Sequence, residues 1–439
     1  MQILAGNSGT SLPRLPHIRA ERQSQILIEA FVTSGLLFML LPGTFLGVWN
    51  LTGISRRHTL SALPLAWLEA HGHAQIFGWV GSFILGIGFY SLTKMQSTRS
   101  FPIARGWTAW TLWTAGVTAR WLGGITGWEW RWLLPASGLL ELGGFLLFFL
   151  TVRRHRPASG RSAGETWMIL VILAAFVFLL TLIANAIALI YQALAGGAPA
   201  LPHRVDLQLV TMALWGVLVP TIWGFNARWL PIFAGFEQPR GRWLLAAYGL
   251  SLAGIGLIFY NCWAISALFF VAASLLAIQG LGVWRPAVHP PKVHNIDPSF
   301  PHFLRIAYSW LLIASLLGCV AAFIDRWGGW WGASRHALTV GFVAVMVFAI
   351  GQRVLPAFCG MRLLWSPELM FWSLALLNAG CLLRVSMEPL AYEYDWQIAW
   401  RLLPVSAIVE LMAVTLFALN IAGALLQQPA HLRRNDNRV

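Results

Sequence analysis

Long apolar runs, broken by short polar stretches, fill this chain from residue 25 to residue 426. A run of about twenty apolar residues is long enough to cross a bilayer as a helix. Twelve such runs predict twelve spans, at 25–48, 71–92, 105–123, 134–152, 167–193, 205–230, 243–261, 263–284, 303–324, 335–356, 367–385 and 401–426. The seventh and eighth meet in a tight turn near Tyr260-Asn261. Lipid offers the backbone no hydrogen-bond partners, so each span is predicted to be helical. The predicted fold class is therefore all-α, a polytopic membrane protein.

Polar residues inside these runs recur in a pattern. His73-Ala74-Gln75-Ile76-Phe77-Gly78 in the second span matches His336-Ala337-Leu338-Thr339-Val340-Gly341 in the tenth. A degenerate copy begins at Thr211, with Trp215-Gly216 in place of the apolar-Gly pair. Further along, Arg228-Trp229-Leu230-Pro231-Ile232-Phe233 matches Arg353-Val354-Leu355-Pro356-Ala357-Phe358 at the same offset. Ala115-Gly116 with Arg120 matches Ala379-Gly380 with Arg384. Leu134-Pro135-Ala136-Ser137 with Glu141 matches Leu403-Pro404-Val405-Ser406 with Glu410. The period is four helices, which predicts three pseudo-repeats over 25–152, 167–284 and 303–426. A 1–24 segment precedes them, a Pro-rich 285–302 linker joins the last two, and a 427–439 tail ends the chain. Repeats of this kind often place a binding site at their interface.

Composition agrees with a membrane chain: 58% of residues are apolar and 10% charged. The net charge of +14 suits loop arginines that fix topology, and no nucleic-acid partner is expected. If the N-terminus lies on side B, that side carries 21 of the 30 Lys and Arg residues and side A carries nine. The positive-inside tendency then makes B cytoplasmic, with both termini there, in a bacterial inner membrane. His71, His73 and His336 fall near the opposite, periplasmic face. Residues before Ser24 hold Arg14, Arg19 and Arg22 but no apolar core, so no cleavable signal is expected. Cys262, Cys319, Cys359 and Cys381 show neither paired nor zinc-type spacing.

The candidate chemistry is that of imidazole. Two histidines from facing helices can hold a six-coordinate haem iron. The repeat pairs His73 with His336, which predicts a b-type haem near side A. His71 lies about 200° round the helix from His73 and cannot easily share that iron. It and His203 are candidates for a second metal, with copper in view. Arg120 and Arg384 suit haem propionates or pairing with glutamates. Glu141 and Glu410 lie inside apolar runs, where carboxylates handle protons, contact metals or form structural pairs. Arg228 and Arg353 read as helix-end anchors, and His289 and His294 in the linker lack metal spacing. No phosphate loop or Ser-His-Asp arrangement appears.

Twelve spans with histidines heading the second and tenth resemble the catalytic subunit of haem–copper oxidases. That resemblance implies low-spin haem ligation by the His71/His73 pair and His336. The superfamily's copper site and second haem need an adjacent His-His pair in the seventh span and a further histidine in the tenth, which this chain lacks. His71-Gly72-His73, with Phe77-Gly78 after it, is similar to the His-x-His motif of the NnrS family, membrane proteins with haem and copper linked to nitric-oxide metabolism and stress. The family's Arg-x-x-Pro-x-Phe element is matched at Arg228–Phe233 and Arg353–Phe358. Ala74 stands where the family commonly has Glu. The resemblance implies a haem protein of the nitric-oxide response, or of electron transfer with a membrane complex or periplasmic cytochrome. An oxidase or nitric-oxide reductase, and a transporter, are the competing readings.

Overall fold

The structure, a computed structural model, describes residues 15–94, 102–154, 165–292, 295–360 and 362–427. Side chains at 15–21 and 91–94 are outside that description. So are Arg14, Arg161 and His294, and the tail arginines 433, 434 and 438. The described residues form twelve long helical spans. They run over 15–57, 65–94, Ile103–Thr126, Trp130–Arg154, Thr166–Ala195, His203–Phe233, Gly241–Phe259, Trp263–Leu281, Phe300–Ile324, Gly329–Phe358, Pro367–Tyr392 and Gln397–Leu426. Ten are long and apolar enough to cross a membrane. The other two, 65–94 and Ile103–Thr126, carry interior polar groups: Glu69, His71, His73 and Arg120. The chain is a multi-pass membrane protein with the expected all-helical architecture.

Span limits differ from the apolar count mainly on side A. The second span begins at Leu65 rather than residue 71, and the tenth at Gly329 rather than 335. His71, His73 and His336 thus sit a turn or more inside their helices. The polar residues that ended the apolar run do not end the helix, because they turn inward. The seventh and eighth spans meet at Tyr260–Cys262, where Asn261 takes φ +64°, a left-handed conformation Asn tolerates.

The spans close into a ring of three four-helix groups. The third and fourth, seventh and eighth, and eleventh and twelfth spans pack as pairs. The fourth packs on the fifth, the eighth on the ninth, and the twelfth on the first. The second, sixth and tenth spans lie innermost, and the tenth is 72% buried over its apolar window.

Each inner span contains a π-helical stretch at the same place. These are Ala74–Gly81, Met212–Leu218 and Ala337–Ala344, each starting just after His73, Thr211 or His336. A π turn inserts an extra residue and re-aims the side chains around it, and such turns are frequent at functional sites. The first span has one too, Met39–Phe45, around Pro42. The glycine of each motif is a point of close approach. A Cβ at Gly78 would come within 2.9 Å of Phe38, at Gly216 within 2.8 Å of Val177, and at Gly341 within 2.5 Å of Trp310. Those three neighbours lie on the first, fifth and ninth spans, the leading helix of each group.

Candidate functional site

A cavity of about 940 Å³ lies between the inner spans in the side-A half. His71, His73, His203, His336, Arg120, Arg384 and Glu410 all line it, as do Glu69, Gln75 and Glu388. The volume falls in the range of small-molecule and cofactor sites, about 300–1,000 Å³. The chain segments around Leu60, His203 and Trp327 form its side-A rim.

The four candidate histidines are held differently. His71 Nδ1 donates to the Gly43 carbonyl at 2.8 Å, in the π turn of the first span. A Cβ at Gly47 would come within 2.7 Å of the same ring, so glycine makes room for it. His336 Nδ1 donates to the Gly332 carbonyl at 2.9 Å and lies 3.0 Å from Glu388 Oε2. In both residues Nε2 is the ring nitrogen left for a metal. His71 is within electrostatic reach of His336 and Arg384. His73 is engaged instead through Nε2, 2.8 Å from Glu141 Oε1, and its ring stacks on Phe77. His203 is exposed at the start of the sixth span, on the rim.

Both arginines are buried and paired. Arg120 Nη2 donates to Glu69 Oε2 at 2.9 Å, and Glu69 Oε1 accepts the Leu201 N–H at 2.8 Å. Arg384 Nη2 donates to Glu388 Oε1 at 3.2 Å. The carboxylate comes from opposite helices in the two groups. Glu69 lies four residues before His73, and the equivalent position before His336 is Gly332. Glu388 lies four residues after Arg384, and the equivalent after Arg120 is Gly124. A Cβ at Gly332 would come within 2.2 Å of Glu388 Oε1, so the glycine admits the carboxylate from across the interface. Neither Glu69 nor Glu388 is apparent as a site residue from the repeat, because each breaks it. A glutamate four residues from an arginine or histidine within an apolar span was the available signal.

Glu141 and Glu410 occupy equivalent places but are not bonded alike. A Cβ at Gly116 would meet Glu141 Cγ at 2.7 Å, and one at Gly380 would meet Glu410 Cγ at 2.7 Å. Ser137 and Ser406 each turn their hydroxyl to a carbonyl three residues back. Glu141 is fully buried and bonded to His73, whereas Glu410 Oε1 is buried with no partner. Arg120 Nη1 and Arg384 Nε and Nη1 are also buried without partners. Unpaired buried donors of this kind cost stability unless a ligand accepts from them. Among the described residues, no group of three or more His, Cys, Asp or Glu is arranged to hold a metal ion.

The helix-end arginines stand apart from this site. Arg228 lies 3.5 Å from Glu165 and over the Trp167 ring, and Arg353 lies over Phe233.

Comparisons with known proteins place the fold. A chain of a heme-copper terminal oxidase dimer, solved by cryo-EM, superposes with a TM-score of 0.71. The alignment covers 93% of this chain and 85% of that one, at 11% identity. The architecture is thus that of a haem–copper oxidase, a likeness of fold. In sequence, the family described as Domain of unknown function (DUF8744) matches residues 300–423, which cover the last four spans. No curated protein matches.

Proposed function

We propose that the cavity binds haem, with His336 and His71 as axial ligands and Arg120 and Arg384 facing the propionates. The observation that carries this is the pair of imidazoles, from the second and tenth spans, that line one cavity. Each has Nδ1 pinned and Nε2 left over, the arrangement by which metal-binding histidines are usually oriented. Three unpartnered nitrogens of guanidinium groups lining the same cavity fit two carboxylates. Bound haem would supply a one-electron ferric–ferrous couple. The chain's own residues fix the imidazole rings, neutralise anionic groups and keep water out with the apolar wall of the inner spans.

Repeat position pairs His73 with His336. The hydrogen bonds favour His71 instead, because Glu141 holds His73 by Nε2 and would leave only the more crowded Nδ1. On this reading the protein is an NnrS-like membrane haem protein, serving the nitric-oxide response or electron transfer. A periplasmic cytochrome or a membrane complex would be its redox partner. Copper is a second candidate metal, to be sought by metal analysis.

Visible spectra of the purified protein test the proposal. Wild type should show Soret and alpha bands of a b-type haem. H71A and H336A should abolish or reshape them, and H73A should keep haem content. Loss in H73A with an unchanged H71A would restore the repeat-based pair. A haem-free wild type would favour a transporter. The oxidase or nitric-oxide reductase alternative predicts rapid cyanide-sensitive oxygen uptake with an artificial reductant. We expect none, because His73 is committed to Glu141 and His203 sits on the rim, too few for a three-histidine copper shell.

A further inference from the structure

His71 and His336 are not backed alike. His71 Nδ1 has one neutral acceptor, the Gly43 carbonyl, which belongs to a different helix. His336 Nδ1 has a carbonyl in its own helix as its hydrogen-bond acceptor, and the Glu388 carboxylate stands beside it at ion-pair distance, Oε2 3.0 Å away and outside hydrogen-bond geometry. Glu388 is itself held by Arg384 and reaches the ring only because residue 332 is glycine. A carboxylate on one imidazole nitrogen fixes the ring and raises the basicity of the other nitrogen. A lone carbonyl does this less. A Cβ at Gly72 would meet nothing within 4 Å, and Gln75 Oε1 is buried there without a partner.

Resting on the haem reading above, we propose that Glu388 is a positioning residue that makes His336 the permanent axial ligand. His71 is then the exchangeable one, and a small diatomic ligand binds on its side. The exchange breaks one iron–Nε2 bond and makes one bond to the diatomic, and it moves no electron or proton. The difference between the histidines lies in their supporting groups, so it should appear in the metal–ligand bond itself.

The test uses the full-length, haem-loaded protein, with carbon monoxide as the probe of the reduced form. H71A should keep its haem, become five-coordinate and bind carbon monoxide faster than wild type. H336A should lose haem. E388Q should weaken haem retention by roughly 10–100-fold, the usual effect of removing such a partner. Each tenfold loss of preference for the ferric state would raise the midpoint potential by about 59 mV. Removing any nearby negative charge would also raise the potential, so a second readout is needed. In the reduced H71A background, E388Q should lower the iron–histidine stretching frequency. E410Q removes a neighbouring carboxylate that forms no ion pair with the ring, and it should leave that frequency unchanged. An equal frequency with and without E388Q would overturn the inference, as would haem retained by H336A and lost from H71A. A wild type without haem would overturn the underlying reading, and this inference with it.

Discussion

At the scale of single residues, the site is built from buried charges whose partners cross between helices. Arg120 and Glu69 are both nearly sealed from solvent, on the third and second spans. Breaking a buried pair by removing one partner leaves an uncompensated charge and typically costs about 3–5 kcal/mol. E69Q should therefore lower the thermal midpoint in detergent sharply. Replacing both partners with apolar residues of similar volume should cost much less. An equal loss in both variants would show that the pair matters beyond its own charge balance. Gly116 and Gly380 give a matched pair of tests. G116A and G380A each force a methyl against a glutamate Cγ 2.7 Å away. Each should destabilise by about 1–3 kcal/mol through overpacking. A neutral result at one site would show that its glutamate has room to move.

At the scale of helices, the π turns decide where the imidazoles point. The turn Ala337–Ala344 comes directly after His336, and Ala74–Gly81 directly after His73. Removing one residue from such a turn takes out the extra residue, closes it to an α turn and re-aims the side chains within it. Deleting Val340 should thus move Gly341 off its close approach to Trp310 and disturb the placing of His336 directly before the turn. Loss of the alpha band is the expected readout. A deletion variant with normal haem content would show that the turn does not set the site. The head of each span was also the least legible part of the sequence. Glu69 interrupts the apolar run, so the predicted span begins at residue 71 rather than at Leu65. In the structure the helix simply continues, because that side chain faces a polar cavity rather than lipid.

At the scale of the molecule, the ring of twelve spans puts the cavity on side A, and basic residues concentrate on side B. Both termini should therefore be cytoplasmic and the cavity mouth periplasmic. A C-terminal reporter fusion checks this, and periplasmic alkaline-phosphatase activity from an intact fusion would reverse the orientation. The three-unit reading is supported by the π turns, by the glycine at each inner helix contact, and by the paired Gly–Glu packing of the first and third groups. The middle group keeps the first two features without the histidine, Thr211 standing in its place.

The sequence by itself determined the features that local chemistry can carry. Apolar length made the spans helical, since a run of about twenty apolar residues satisfies its own backbone in lipid as a helix. The spaced motifs marked the inner helices and pointed to the imidazoles, to Arg120 and Arg384 and to Glu141 and Glu410, but not to Glu69 or Glu388. Tertiary structure alone decided which partner each one takes. His73 meets Glu141 across 68 residues, His71 meets a carbonyl of the first span, and Arg120 meets Glu69 on a neighbouring helix. These pairings depend on how each inner helix is rotated by its π turn and on where a glycine lets two helices close. Apolar periodicity records neither, because both are set by contacts between segments far apart along the chain.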